Sequence, residues 1–174
     1  MSRPNLIAFI FFVVLLAGCA DSPRTADMLI QNARDEVLLS TKEAFVVNLP
    51  IGRVSNMLNK MADECIHQKV TRKFRDASGK VAVNINQTIE LIPKVIVDKE
   101  RTRLTVQYKV IEGSPELGHI PPNGLYFMLV DAYPVDKYTT RVESYYQQTS
   151  FHALFQAVIP WVTGRNMTCP NLSF

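Results

Sequence analysis

Apolar residues between Ile51 and Ile66 recur with helical spacing. Val54, Met57, Leu58, Met61, Ala62 and Cys65 fall at i, i+3, i+4, i+7, i+8 and i+11, one continuous face of an α-helix. Arg53, Asn56, Asn59, Lys60, Asp63 and Glu64 fill the remaining positions. Near the C-terminus the same spacing returns with Phe151, Leu154, Phe155, Val158, Ile159 and Val162. Gly164 is placed to end that helix, and Pro160 within it predicts a kink. Between the two stripes the period drops to two. Val81, Val83, Ile85, Ile89 and Leu91 alternate with Asn84, Asn86, Thr88 and Glu90, and Leu104, Val106, Tyr108 and Val110 alternate with Arg103, Thr105, Gln107 and Lys109. That pattern predicts antiparallel strands with one face buried and one wet.

Turn chemistry divides the strands. Asp76-Ala77-Ser78-Gly79 is a hairpin signal after Lys69–Arg75. Pro93 has no N–H for a ladder, which marks an edge, a bulge or a strand end, and Asp98-Lys99-Glu100-Arg101 reads as a charged turn. Strands follow at Leu125–Tyr133 and Lys137–Tyr145, and a shorter one, Ala44–Leu49, precedes Pro50. The Gly/Pro-rich stretch Gly113–Gly124 is long for a loop inside a compact domain, and such loops are often functional. The expected fold is therefore α+β: an antiparallel meander carrying one N-terminal and one long C-terminal helix. From about Ala44 to Cys169 this element order resembles the helix-grip architecture of lipid-transfer domains and of an accessory lipoprotein of the outer-membrane barrel assembly machine. The resemblance rests on element order and on no motif.

The leader has its own logic. Arg3 is its only charge, Leu6–Ala17 is unbroken and apolar, and Leu16-Ala17-Gly18-Cys19 closes the run. A positive n-region, an apolar h-region and small residues are the parts of a secretory signal, and the run is shorter than the roughly 20 residues a membrane span needs. Gly18-Cys19-Ala20 would also suit an ordinary cleavable signal. The Leu-Ala-Gly-Cys tetrapeptide resembles the lipobox of bacterial lipoprotein precursors. That resemblance implies residues 1–18 as signal peptide, diacylglycerol and an acyl chain such as palmitate on Cys19, and a bilayer as the first partner. Because one fatty chain holds a protein only marginally and two signals suffice for stable attachment, the three chains of a lipoprotein cysteine would keep it anchored. Ala20 rather than an acid follows Cys19, which by the same resemblance leans towards the periplasmic side of the outer membrane. Residues 19–42, mixed and polar, read as a lipidated tether whose second part pairs as an irregular strand, and residues 43–174 as a single domain.

Without the first 18 residues 156 remain, enough for one hydrophobic core. The whole chain holds 19 Lys+Arg against 16 Asp+Glu, so the mature part is close to neutral and lacks the basic excess of a nucleic-acid partner. Lys69, Arg72, Lys73, Arg75 and Lys80 form its one basic concentration, a surface for anionic headgroups or, since Asp76 interrupts it, a solvated hairpin. Of three cysteines, Cys19 takes lipid on the lipoprotein reading, leaving Cys65 and Cys169 as an even pair in an oxidising compartment. A metal site around Cys65, His67 and Cys169 is the alternative, but the second close ligand pair usual in structural zinc sites is missing.

Catalytic signals are weak. The sequence holds no Gly-x-Ser-x-Gly nucleophile elbow and no His-Glu-x-x-His helix. His67, His119 and His152 are scattered, and acids pair only locally, as Asp63/Glu64, Asp98/Glu100 and Glu112/Glu116. Phe151, Phe155 and Trp161 on the terminal helix are the candidate ligand-binding residues, since a sheet–helix cavity lined by aromatics suits an apolar ligand; packing is the plainer role. The expectation is a non-enzymatic, cofactor-free envelope module that binds or scaffolds other envelope proteins. The rivals are a carrier or sensor of an apolar or lipid ligand, and a hydrolase of envelope polymers with acids or a histidine beside Gly113–Gly124.

Overall fold

The computed structural model describes residues 22–74, 85–113, 120–147, 152–165 and 168–172. Six strands, β1 (Ser40–Val47), β2 (Lys69–Phe74), β3 (Ile85–Val97), β4 (Thr102–Glu112), β5 (Leu125–Pro134) and β6 (Thr140–Gln147), form one antiparallel sheet in the order β1-β6-β5-β4-β3-β2. Strands β2 to β6 are the expected meander, and β1 closes back on β6, Ser40 opposite Gln147 and Val47 opposite Thr140. Pro93 sits inside β3 opposite Val106. Leu91 N donates to Gln68 O at 3.0 Å, so the Pro93 nitrogen, two residues on, points the same way, beyond the paired part of β2. The missing donor falls on an open edge, as ladder bookkeeping requires.

One face of the sheet is covered by α2 (Ile51–Met61) and α3 (His152–Thr163). Val54, Leu58 and Met61 of α2, and Leu154, Phe155, Val158, Trp161 and Val162 of α3, are buried in one cluster with Leu91, Leu104, Val106, Val130 and Val142 of the sheet. Beyond Met61 the backbone widens into a π-helical turn, Ala62–Ile66, with His67 N bonded to Ala62 O at 3.0 Å. This turn keeps Cys65 in the core and brings it to Cys169, with which it forms a disulfide across 104 residues of sequence. The pairing is the expected one. Cys169 itself lies on an exposed C-terminal segment rather than in the core. With both sulfurs joined, neither is available as the thiolate a metal would need. Gly164, at φ +68°, ends α3, and Arg165 N closes the cap on Pro160 O at 3.1 Å.

Two expectations need correction. Among the described residues three α-helices are present instead of two: α1 (Ala26–Arg34) falls inside the stretch read as tether. Thr25 caps it, its side chain accepting from Met28 N at 3.1 Å. Its stripe, Ala26, Leu29, Ile30 and Ala33, packs on Leu129, Tyr126 and Tyr145. Consequently the second face of the sheet is not uniformly wet. Over β5 and β6 part of it is buried beneath α1, where Leu129 and Tyr145 meet the helix. Strand β1 also begins at Ser40 rather than Ala44. The Asp76–Gly79 hairpin lies outside the described residues.

The bridge closes a long loop, which in the chain-entropy picture stabilises by up to about 4–5 kcal/mol. Replacing Cys65 and Cys169 together with serine is expected to lower the urea midpoint of unfolding accordingly, and reductant should then have no further effect. An unchanged midpoint would show that the bridge contributes no stability.

A charged cleft between α1 and the sheet

Under the C-terminal half of α1 the sheet presents charge instead of hydrocarbon. From Met128 onward β5 alternates strictly: Met128, Val130 and Ala132 enter the main core, while Leu129, Asp131 and Tyr133 face α1. On β6, Val142 and Tyr146 face the main core, and Arg141, Glu143 and Tyr145 face α1. Register then places Asp131 beside Glu143, with Arg103 on the far side of Asp131. Two carboxylates directly opposite each other repel, and Asp131 is only 1% exposed, so the arrangement stands only if cations bracket it.

They do. Arg103 Nε and Nη2 donate to the two oxygens of Asp131, both at 2.7 Å, a bidentate fork. Tyr133 OH donates to the same carboxylate at 3.2 Å, and Arg101 Nη1 lies 3.6 Å away. Glu143 accepts from Tyr145 OH at 2.6 Å, pairs with Lys42 at 3.4 Å and is hydrogen-bonded by Arg141. Lys42 also stands 5.4 Å over the Tyr145 ring, within cation–π reach. Burial alone would raise Glu143, but Tyr145, Lys42 and Arg141 outweigh it and hold the carboxyl below its ordinary value. Burial, then the Glu143 carboxylate, pushes Tyr145 up to about 12. Asp131 holds Arg103 firmly protonated.

Between this floor and Asp27, Ile30, Gln31 and Arg34 of α1 lies an open cleft of about 340 Å³. A second, of about 520 Å³, shares Arg34 and runs to Lys42 past Ser40 and Thr41. General acid–base work needs a carboxyl whose pKa is raised towards the working pH. Glu143 is shifted the opposite way, and Asp131 is saturated with donors. Arg34, Arg101, Gln31 and Asp27 line the mouth, where they can meet charged and hydrogen-bonding groups.

The residues singled out from sequence lie elsewhere. Phe155 and Trp161 are fully packed: Phe155 stacks on Tyr146 at 3.5 Å between ring centroids, and Trp161 Nε1 donates to Thr168 O at 3.2 Å. Both belong to the buried main cluster. Phe151, Cys19 and His119 lie outside the described residues. His67 and His152 are exposed at the ends of different helices. A cleft of about 250 Å³ does border the Gly113–Gly124 loop, but its described lining is Lys109, Val110, Ile111, Gly113, Ile120, Pro121 and Pro122, without acid or imidazole. Among the described residues no three metal-ligating side chains converge, and no helix is long and apolar enough to cross a membrane.

No protein-family model and no curated protein matches this chain. Among solved structures, a hypothetical protein from Helicobacter pylori is similar at a TM-score of 0.43 and 10% identity, covering 83% of this chain and 95% of that one. Norcoclaurine synthase from Thalictrum flavum, solved with dopamine and hydroxybenzaldehyde, is similar at 0.31 and 12% identity, covering 72% and 84%.

Two measurements test the cleft. Asp131→Ala leaves Arg103 without its partner beneath α1 and is expected to cost about 3 kcal/mol in unfolding free energy; a change within error would show the pair is unimportant. On alkaline titration followed by tyrosine absorbance, one phenol should ionise only near pH 12 in the folded protein, and Tyr145→Phe should remove that last step. Because its folded pKa is raised, Tyr145 contributes stability that is complete below pH 10 and is lost as pH rises towards 12. Glu143, lowered, contributes stability that disappears as pH falls through its depressed value.

Proposed function

We propose that this chain is a lipid-anchored envelope protein whose domain binds other molecules without transforming them, held through Cys19 at the periplasmic side of the outer membrane. The observation that carries the reading is the Cys65–Cys169 disulfide, since such bonds persist in oxidising compartments outside the cytoplasm. It agrees with the leader and lipobox-like tetrapeptide ending at Cys19. The element order, with α3 lying along an antiparallel sheet, is in keeping with a helix-grip-like arrangement. The charged cleft beneath α1 is the surface best suited to polar recognition.

An apolar-ligand carrier finds less support. Its aromatic candidates Phe155 and Trp161 are already consumed by packing against Tyr146, Leu154 and Val158.

The anchor is tested by fractionation. Wild-type protein should stay with membranes through alkaline carbonate extraction and incorporate labelled palmitate. Cys19→Ala should appear in the soluble periplasmic fraction, unlabelled. Unchanged membrane retention of that variant would overturn the reading.

A further inference from the structure

Of the three described helices, α1 is the one whose docking works against itself. α2 buries Val54, Leu58 and Met61, and α3 buries Leu154, Phe155, Val158, Trp161 and Val162. α1 buries Leu29 and Ala33 fully, and Ala26 and Ile30 in part. Open clefts of about 340 and 520 Å³ border it. Docking also strands polar atoms. Asn32 Nδ2 on α1, and Ser40 Oγ in the larger of those clefts, are buried without a hydrogen-bond partner, so each loses its hydration uncompensated. The link from α1 to β1 is strained as well. Glu36 at φ +53° and Leu39 at φ +55° are held left-handed, a conformation unfavourable for any residue with a Cβ and rare for a bulky one. Leu39 gains no burial from it, being 69% exposed.

What α1 would leave behind is already complete. Among the described residues, the partners of Asp131 and Glu143 all come from the sheet and its β3–β4 turn: Arg101, Arg103, Tyr133, Lys42, Arg141 and Tyr145. α1 adds Arg34 at the Tyr145 hydroxyl and the field of Asp27 at Arg103. Lifting it therefore hydrates the ion pairs without orphaning a buried charge. The hydrocarbon uncovered is chiefly that of Leu129 and Tyr145. A helix of nine residues is too short to persist alone in water, so release and melting of α1 are one event.

α1 also lies between the lipid site and the sheet. Pro23 O accepts from Tyr126 N, the second residue of β5, at 2.9 Å. While that contact and α1 hold, the stretch from Cys19 to Pro23 reaches at most about 14 Å. Once they let go, the first fixed residue is Ser40 in β1, and the stretch from Cys19 to Ser40 reaches up to about 70 Å.

We propose that α1 is a releasable strap: docked, it holds the lipid-anchored domain close to its bilayer, and by peeling from β5 and β6 while the rest stays folded it lets the domain stand several times further off. The proposal rests on attachment through Cys19. It is tested by hydrogen exchange on the full-length lipidated protein in phosphatidylethanolamine–phosphatidylglycerol vesicles. Amides of α1 should exchange roughly 100-fold faster than those of β5, through openings that low urea hardly accelerates, the mark of local release. Glu36→Gly relieves the left-handed strain and should slow α1 exchange about fivefold. Leu29→Asp should abolish the protection of α1 and leave that of β5 and the Cys65–Cys169 bond intact. With a dye at position 138, exposed at the β5–β6 turn, and an acceptor lipid in the vesicle, Leu29→Asp should lower energy transfer about twofold as the flexible stretch lengthens.

Equal protection of α1 and β5, loss of both together in Leu29→Asp, α1 exchange no slower in Glu36→Gly, or unchanged transfer would each overturn the strap. Flotation keeps its failure apart from that of the anchor. Protein that floats with the vesicles yet gives any of those results refutes the strap, and protein that does not float with Cys19 intact refutes the anchor.

Discussion

Strands β5 and β6 lie in the middle of the sheet with helices on both sides, and that double cover governs everything around them. A strand covered on one face can discard its polar residues to water. One covered on both must bury every second side chain in each direction, and any charge among them has to be neutralised where it stands. On the face towards α2 and α3 the demand is met by hydrocarbon, with Val130, Ala132 and Val142 fully buried. Towards α1 it is met by Asp131 and Glu143, whose burial is tolerable because Arg103, Lys42 and Arg141 converge on them. Removing one member of such a set costs more than the set adds in net stability. The cleft is therefore better understood as an obligation of the architecture that leaves some of its charged groups facing solvent.

Much of this was legible from spacing alone. The stripe from Val54 to Cys65 states its period over three turns and the later one from Leu154 to Val162 over more than two, and the alternation along β3 and β4 is long enough to survive a β-bulge. What escaped was α1. Its signal is present, since Ala26, Leu29, Ile30 and Ala33 sit at i, i+3, i+4 and i+7 behind the capping residue Thr25. The stripe is short, however, two of its four members are alanines, and it merges into Val37-Leu38-Leu39, so the segment resembles an irregular strand. Missing α1 meant missing the second covered face, and with it the cleft.

Asp131, Glu143 and Arg103 went unnoticed for a different reason. Each carboxylate is alone on its own strand, and the residues between them form a hairpin, so nothing in local sequence says that they will be neighbours. Register does that, and register is set by the pairing of whole strands. The disulfide was legible because it needed only counting. For the terminal-helix aromatics, a stripe built for packing and a stripe lining a cavity have the same period, and it is the fit of Phe155 against Tyr146 and the burial of Trp161 that the spacing does not carry.

The place of β1 has a consequence for the order in which this chain can assemble. Among the described residues it is the first strand made, and the strand it pairs with is β6, the last of them, with Ser40 opposite Gln147. Contacts so distant in sequence form slowly, because the loop between them must close before they return any stability. Until β6 exists, the run Ala44-Phe45-Val46-Val47 is an unpaired, apolar, β-branched segment near the start of a growing chain, the kind of edge that recruits other strands. A cell making this protein has to keep its beginning apart from its neighbours until its end arrives.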